Sequence, residues 1–167
     1  ETVVAANPDL IIGWKSTFAS VLKKPTAWWN ERGIRTYVVS TSNHLHDKGR
    51  IEDECRYLDD MGQIFDVREK TDRMIREIHD ELSRTQKLVK GRASQAVMVV
   101  EPEGKAFYNY DNGWVVGDMV EQLGGYMPAG ERRIGCEEHI SYNPDVLFVV
   151  YFNEEQHLQI IEMFRHA

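Results

Sequence analysis

The sequence predicts an α/β protein with parallel sheets in two lobes, which one long rigid helix joins. Residues 66–91 carry one apolar stripe at helical spacing, and no proline or glycine interrupts them between Val67 and Lys90. Short apolar strands alternate with helical segments on both sides of this stretch, as they do in parallel sheets. The tripeptide Asn-Pro-Asp occurs once on each side, at residues 7–9 and 143–145.

The long helix has the end signals expected from its sequence. Asp66 can act as its N-cap, with Glu69 at the spacing of a capping box. Gly91 is well suited to leave the helix in a left-handed conformation. At 1.5 Å per residue the helix would be about 35 Å long. A narrow apolar stripe on a charged rod suits contact with two bodies, so we call residues 66–91 the connecting helix.

Residues 1–65 are predicted to form part of an N-terminal lobe. The run after Asp9, Leu10-Ile11-Ile12, is continuously apolar, which suits a strand covered on both faces. Trp14 and Lys15 follow its carboxyl end, where open α/β sheets bind ligands. Of the adjacent Trp28 and Trp29, only one need be buried. The predicted elements are a helix end at 1–6, strands at 9–12 and 34–39, and helices at 26–30 and 50–64.

Residues 92–167 are predicted to form part of a C-terminal lobe. The predicted strands are 95–100, 105–110 and 146–151, with a turn at 101–104 and a loop at 126–135. The predicted helices are 114–123, 137–142 and 154–165. A ligand could rest against Trp114 while its polar group meets N–H groups at the start of the first of these helices. Ordinary core packing is the alternative for this tryptophan, as it is for Trp14, and Lys15 could simply be solvated.

Composition excludes several classes of protein. A formal net charge of −7 over 167 residues argues against binding to a nucleic-acid backbone. No apolar run reaches the length of a membrane span. Cys55 and Cys136 form no C-x-x-C pair, so we expect two separate thiols. The phosphate-binding and catalytic motifs of common enzymes, such as G-x-G-x-x-G, H-E-x-x-H and G-x-S-x-G, are missing from the sequence.

One short segment carries potential metal ligands. His44 and His46 would lie on one side of an extended chain, close to Asp47. No further ligand has matching spacing, so we interpret the segment as an exposed loop and predict no metal site. The histidines on predicted helices, His79 among them, are expected to be solvated.

The repeated tripeptide is accompanied by a repeated glutamate. Glu1 precedes Pro8 by seven positions, and Glu137 precedes Pro144 by seven. Proline ends a helix sharply, and Asn and Asp bond to local backbone groups, which explains Asn-Pro-Asp. The glutamates need another reason, unless they are ordinary surface residues at helix starts. Two equivalent carboxylates, one per lobe, indicate a two-point docking surface.

The whole chain resembles one family of transport proteins. The matching elements, in order, are ETVVAANPDLIIGW, GIRTYVV, MGQIFDVREKTDRMIREI, VMVVEPEGKAFYNY, VVGDMVEQLGG and the segment 137–151. They resemble the substrate-binding proteins of ABC importers for iron-siderophores, haem and vitamin B12, in which two Rossmann-like lobes are joined by one helix. Members of that family are longer at both ends, so we expect a central fragment in which each lobe is incomplete.

The resemblance implies roles for individual residues. Glu1 and Glu137 match the glutamates that contact arginines of the membrane permease, an ion-pair clamp that fixes orientation. The ligand of the family sits between the lobes, against residues that follow the strands. The corresponding positions here are Trp14, Lys15, Tyr110, Asn112, Trp114 and Tyr151, with Phe152 as a further candidate.

The resemblance also implies what the protein does and where. We expect an extracytoplasmic binding component, not an enzyme, that captures a ferric siderophore or a cobalamin-type metal chelate and uses no cofactor of its own. Its partners would be the permease subunits, with an anchor upstream of Glu1 holding it at the membrane. A fragment with open sheet edges can dimerise, or can lack ligand binding because its cleft is incomplete. The alternative is an enzyme or cofactor-insertion protein acting on a metal-tetrapyrrole.

Overall fold

The computed structural model describes residues 2–40, 49–104, 106–128, 130–135, 141–152, 158, 160 and 162. In the first half of the chain the elements are α1 (Thr2–Ala5), β1 (Leu10–Gly13), a π-helical turn (Thr17–Val21), α2 (Thr26–Asn30), β2 (Arg35–Val38) and α3 (Ile51–Ile64). The connecting helix is α4 (Arg68–Val89). The second half contains β3 (Val97–Glu103), β4 (Ala106–Asn109), α5 (Val115–Gln122), β5 (Arg133–Ile134) and β6 (Val146–Val149).

The described strands form two separate sheets, one on each side of α4 in the sequence. The first pairs β1 with β2 in parallel, with Leu10 opposite Arg35 and Gly13 opposite Val38. The second has the order β5-β4-β3-β6, and its β3–β6 pair is parallel. The protein is therefore an α/β fold of two Rossmann-like lobes with parallel strands and a long helix between them, as the sequence predicts.

The two Asn-Pro-Asp tripeptides have the same backbone conformation. Asn7 has φ of 44° and Asn143 has φ of 41°, both in the left-handed region that asparagine tolerates better than most residues. Each tripeptide leads into a strand, Leu10–Gly13 in the first sheet and Val146–Val149 in the second. The repeat in the sequence is therefore a repeat in the fold, with one copy in each lobe.

The second sheet is mixed, which the predicted strand–helix alternation did not indicate. β4 is antiparallel to β3, with Glu103 opposite Ala106, so the two strands form a hairpin. β3 also continues through Pro102, where a turn at 101–104 was predicted. Pro102 is tolerated because the β6 ladder ends at Val149 opposite Val100, and a missing N–H beyond that point breaks no described sheet bond.

Two further segments of the second half differ from the prediction or lie outside the description. Arg133–Ile134 forms the short strand β5 against β4, within the segment predicted to be a loop. In the predicted helix at 137–142 only Ser141 and Tyr142 are described, and both are helical. In the predicted helix at 154–165, Leu158, Ile160 and Glu162 are described as helical.

The connecting helix begins later than its capping signals predict. Asp66 has φ of 55° and forms the left-handed turn between α3 and α4, so it is not the N-cap. The residue before the helix is Val67, which makes no side-chain capping bond. The predicted capping box of Asp66 and Glu69 is therefore wrong. At the other end Gly91 has φ of 81°, and the predicted left-handed exit is confirmed.

Helix α4 packs along α3 through a close contact near their shared turn. Gly62 and Thr71 face each other there, and a Cβ added to Gly62 would collide with Thr71 Oγ1. Thr71 is the one residue of α4 that is fully buried. The apolar stripe of the helix is only half covered in the described chain, since Met74 remains 40% exposed.

Each sheet has its own hydrophobic core. Phe18, Trp29 and Ile34 pack behind the first sheet. In the second sheet the residues of β3 alternate between two faces, with Met98 and Val100 on one and Val97 and Val99 on the other. Burial on both faces explains why this strand is continuously apolar. Within the described part of the chain, no helix is long and apolar enough to cross a membrane.

Candidate functional site

The first group of predicted site residues lies at the carboxyl edge of the first sheet. Because β1 and β2 are parallel, the residues that follow Gly13 and Val38 lie at the same edge. Trp14 is 60% exposed there, and its backbone N–H donates to Thr17 Oγ1 at 3.0 Å. Trp14 is thus not the core tryptophan of the alternative interpretation. Its exposed ring can stack on a bound molecule, so its predicted role stays open for test.

A groove of about 450 Å³ includes Lys15, the residue after Trp14, and its lining is rich in lysine. Lys15, Lys23 and Lys24 all contribute to it. The lining is mostly apolar, and three lysines along one groove favour a ligand that combines apolar surface with negative charge, although the chain as a whole carries −7. The remaining lining residues are Phe18, Ala19, Pro25, Thr26 and Val38.

Only Lys15 in this groove was singled out by sequence reasoning. The signal for the other two was the pair Lys23-Lys24 directly before Pro25. Lys23 has φ of 52°, so the chain turns there in the left-handed region, and both lysines contribute to the groove lining. That turn could not be read from the sequence, because lysine has no particular preference for it.

The adjacent tryptophans of α2 divide as predicted, with one buried and one at the surface. Trp29 is 3% exposed and belongs to the first core. Trp28 is half-buried, and the Arg32 guanidinium carbon lies 3.7 Å from its ring centroid. The Lys24 Nζ is 5.2 Å from the same centroid. Trp28 is therefore engaged in cation–π contacts at one side of the lysine-rich groove.

In the second sheet, Tyr110 and Trp114 come together with a third aromatic residue. Their ring centroids are 5.3 Å apart in an edge-to-face arrangement. Tyr108 lies 5.2 Å from Tyr110 and 6.0 Å from Trp114, also edge-to-face. We call Tyr108, Tyr110 and Trp114 the aromatic cluster. Sequence reasoning missed Tyr108 on β4, although it is two residues before Tyr110, a spacing that places both side chains on one face of an extended chain.

A carboxylate fixes the centre of the aromatic cluster. The Tyr110 hydroxyl donates to Glu101 Oε2 at 2.6 Å. Burial raises the pKa of Tyr110 well above its ordinary value, and the hydrogen bond to Glu101 and the charge of that carboxylate raise it further. The hydroxyl therefore keeps its proton at neutral pH and holds the ring in place. The cluster can offer a ligand rigid aromatic edges with one buried polar contact.

The start of α5 is less open to a ligand than predicted. The Gly113 N–H donates to Asp111 Oδ1 at 2.8 Å, and the Gly117 N–H donates to the Trp114 carbonyl at 2.9 Å. Asn112 is exposed, and its side-chain amide lies 3.5 Å from Glu121 Oε1. Asp118 also places a carboxylate in the first turn, which disfavours an anion at this helix end. The predicted polar contact at the helix start is therefore weakly supported, whereas Asn112 remains accessible.

Tyr151 and Phe152 follow β6 and are both exposed, at 50% and 72%. The Val150 N–H donates to the Val100 carbonyl at 2.8 Å, and continuing the parallel register beyond Val149 brings Val150 to the level of Glu101. Tyr151 thus lies one residue beyond the level of Glu101, the residue whose carboxylate holds Tyr110. Two exposed aromatic side chains at a strand end are consistent with the predicted ligand contact.

Several predicted residues lie outside the described residues. They are the two docking glutamates Glu1 and Glu137, and the candidate metal loop with His44, His46 and Asp47. Cys136 also lies outside them.

Comparison with known proteins identifies the family. The sequence profile described as "Periplasmic binding protein" matches residues 1–162, which is nearly the whole chain. No curated protein matches the sequence. The resemblance inferred from the sequence motifs is thereby confirmed at the level of the family.

Solved structures of similar fold include a periplasmic binding protein from Veillonella parvula, with 25% identity and a TM-score of 0.84 over 97% of this chain and 52% of that one. IsdE of S. aureus, solved with heme, is 12% identical with a TM-score of 0.64, covering 98% of this chain and 61% of that one. The siderophore binding protein FhuD of Vibrio cholerae, solved with Fe³⁺-Desferal, is 14% identical with a TM-score of 0.66, covering 95% of this chain and 61% of that one. This chain therefore spans between 52% and 61% of the length of these proteins.

Proposed function

Because the chain belongs to the periplasmic binding protein family, we propose that it is the extracytoplasmic substrate-binding component of an ABC importer. Its substrate would be a metal chelate of the ferric siderophore, haem or cobalamin type, held between the two lobes. Membership of this family favours capture and delivery over catalysis. Within the chain, residues 1–65 and 92–167 would contribute to the two lobes and residues 66–91 would connect them.

One observation carries this proposal beyond family membership. The two Asn-Pro-Asp strands lie in separate sheets on either side of α4, and each is followed by exposed aromatic side chains. Trp14 follows β1, and Tyr151 and Phe152 follow β6. A carrier whose ligand sits between two lobes needs this arrangement, because each lobe must present its own contact surface.

The chemistry of the two surfaces supports a large, partly aromatic and anionic ligand. On the first lobe a groove is lined by Lys23, Lys24 and Lys15, the residue that follows Trp14. On the second, the aromatic cluster presents edges of three rings around the Tyr110–Glu101 hydrogen bond. Haem combines two carboxylates with a flat apolar ring, and haem and a ferric siderophore are each bound by a solved protein of the same fold. We therefore rank them above cobalamin.

We further propose that Glu1 and Glu137 dock the protein on the permease. Their support is the equal spacing of seven residues to Pro8 and Pro144, which lead into equivalent strands of the two lobes. Carboxylates at equivalent places would meet two arginines of a permease and fix the orientation of the complex. An anchor upstream of Glu1 and dimerisation through open sheet edges remain part of this proposal.

Tryptophan fluorescence tests the ligand proposal directly. The full-length protein, with both lobes complete, would be titrated with haemin, with a ferric hydroxamate siderophore and with cobalamin, and free N-acetyltryptophanamide would correct for light absorbed by the ligand. We expect saturable quenching by at least one of the first two. The Trp14→Ala variant should lose part of the quenching. Absence of saturable quenching by all three ligands would overturn the proposal.

A charge variant tests the role of the lysine-rich groove. Lys23→Gln/Lys24→Gln should weaken binding of an anionic chelate by up to about thirtyfold, since each of the two exposed ionic contacts contributes at most about 1 kcal/mol. The matched control is Lys70→Gln/Lys87→Gln, which removes the same charge from α4. Equal affinities of the two double variants would exclude the groove from the binding site.

A further inference from the structure

Among the residues that the structure describes, three potential metal ligands converge on the surface between α3 and α4. Glu52 and Cys55 lie one turn apart on α3, and His79 lies on α4. The Cys55 Sγ is 3.7 Å from His79 Nε2, and the same nitrogen is 3.0 Å from Glu52 Oε1. All three ligand atoms lie within 4.8 Å of one another. A thiol, an imidazole and a carboxylate therefore face one small volume.

We propose that Cys55, His79 and Glu52 form a binding site for a divalent transition-metal cation of the Zn²⁺ class. Zn²⁺ binds cysteine sulfur at about 2.3 Å, histidine nitrogen at about 2.0–2.1 Å and carboxylate oxygen at about 2.0–2.2 Å. In a tetrahedral site these bonds separate sulfur from nitrogen by about 3.6 Å and nitrogen from oxygen by about 3.3 Å. The observed distances of 3.7 Å and 3.0 Å are close to both values, so small side-chain rotations suffice to admit the ion.

The burial of the three residues suits an accessible site with one open position. Cys55 is buried in the helix–helix contact, whereas the side chains of His79 and Glu52 are 45% and 58% exposed. The Cys55 thiolate would bind the ion on its buried side, and the His79 imidazole and the Glu52 carboxylate would bind it on the solvent side. Water can complete the four ligands. A mixed sulfur, nitrogen and oxygen set also disfavours Mg²⁺ and Ca²⁺, which prefer oxygen alone.

The competing explanation is an ordinary ion pair between His79 and Glu52 beside a buried thiol. That explanation needs no contribution from Cys55, whereas the cation site needs its sulfur as a ligand. The residues lie on two helices and not at the strand ends of the proposed cleft, so an ion bound here is not the transported chelate. By linking α3 to α4, it would stabilise their packing.

Cobalt spectroscopy separates the two explanations. The chelator-treated, reduced chain would be titrated with Co²⁺, whose bond to a thiolate gives a charge-transfer band in the near ultraviolet. We expect this band to saturate at one equivalent and to be displaced by Zn²⁺. Cys55→Ser should abolish it. His79→Gln should weaken Co²⁺ binding by at least about tenfold, since even outer-shell substitutions commonly cost that much.

Three matched variants serve as controls. Asp80→Asn removes a carboxylate next to His79, Cys136→Ser removes the other thiol, and His44→Asn/His46→Asn removes two of the five other histidines. All three should keep the band and the affinity. A chain without the band, a band that persists in Cys55→Ser, or unchanged affinity in His79→Gln would each overturn the proposal. The histidine variant keeps the test decisive if Cys55→Ser fails to fold, because His79 is exposed.

Discussion

The Asp118 carboxylate accepts a hydrogen bond from the backbone N–H of Ile51 at 3.0 Å, across 67 residues of sequence. Ile51 is the first residue of α3, and Asp118 lies in the first turn of α5. A second bond, from the Gly49 N–H to the Gly113 carbonyl at 2.8 Å, joins the same two segments. The two halves of the chain therefore touch beside α4 as well as being linked by it. This contact limits how far the lobes can move apart without breaking buried hydrogen bonds.

Removing the carboxylate should measure the strength of this contact. Asp118→Ala leaves the N–H of the buried residue Ile51 without its acceptor and should lower the free energy of unfolding by about 1–2 kcal/mol. Asp118→Asn keeps an oxygen acceptor and should cost less. Asp80→Ala, an exposed aspartate in the middle of α4, is the control and should change stability by less than about 0.5 kcal/mol. Equal effects of the two alanine variants in urea unfolding would show that the contact does not stabilise the fold.

The contact between Gly62 and Thr71 should be intolerant of a larger side chain. Gly62→Ala places a Cβ against Thr71 Oγ1 and 3.3 Å from Arg68 Cα, so α3 and α4 must separate. We expect a loss of about 1–3 kcal/mol of stability in urea unfolding, typical of overpacking. Adding Thr71→Ala should recover part of this loss, because it removes the hydroxyl that collides. Strict additivity of the two substitutions would contradict the contact.

Features that depend only on neighbouring residues, such as the Asn-Pro-Asp repeat and the end of α4, were predicted correctly from the sequence. Asn-Pro-Asp dictates a sharp helix end wherever it occurs, so Asn7 and Asn143 adopt the same conformation in both lobes. Gly91 ends α4 for an equally local reason. Asp66 shows the limit of such signals, because its capping pattern was outweighed by the tight turn that the close packing of Gly62 on Thr71 requires.

Features that depend on distant partners could not be predicted. The antiparallel hairpin of β3 and β4 tolerates Pro102 only because the β6 ladder ends beside it, and nothing near Pro102 in sequence reveals this. The contact of Asp118 with Ile51 likewise joins residues far apart in the chain. His79 was predicted to be solvated, and its approach to Cys55 follows from the register of α3 on α4. Tertiary packing sets these contacts, and no local spacing encodes them.

The Tyr110–Glu101 hydrogen bond should make the free energy of unfolding decrease at alkaline pH. The folded pKa of Tyr110 lies above its ordinary value of 10.0, through burial first and Glu101 second. Above pH 10 the unfolded chain releases this proton while the folded chain keeps it, so the stabilisation is complete below that pH and declines above it. Tyr110→Phe should therefore lower stability by about 1 kcal/mol at neutral pH, and the difference should shrink above pH 10.

Urea unfolding of both chains at neutral and alkaline pH checks this prediction. The variant Glu101→Gln removes the negative charge that helps to keep the proton on Tyr110. Its free energy of unfolding should therefore fall less above pH 10 than that of the unmodified chain. The free energies of unfolding of Tyr110→Phe and the unmodified chain could instead differ by the same amount below and above pH 10. That result would mean that the hydrogen bond does not raise the pKa of Tyr110.

The Cys55 thiol should react slowly with alkylating reagents when no metal is present. Burial raises its pKa, and the negative charges of Glu52 and Glu54 raise it further, so little of the reactive thiolate exists at neutral pH. In a Cys136→Ser background with a chelator, iodoacetamide should modify Cys55 more slowly than free cysteine. Glu52→Gln removes one of the two charges and should speed the reaction, whereas Asp80→Asn should not. Mass spectrometry against time measures both rates. Modification of Cys55 as fast as free cysteine would contradict its burial between α3 and α4, because a thiol at the surface would meet the reagent unhindered.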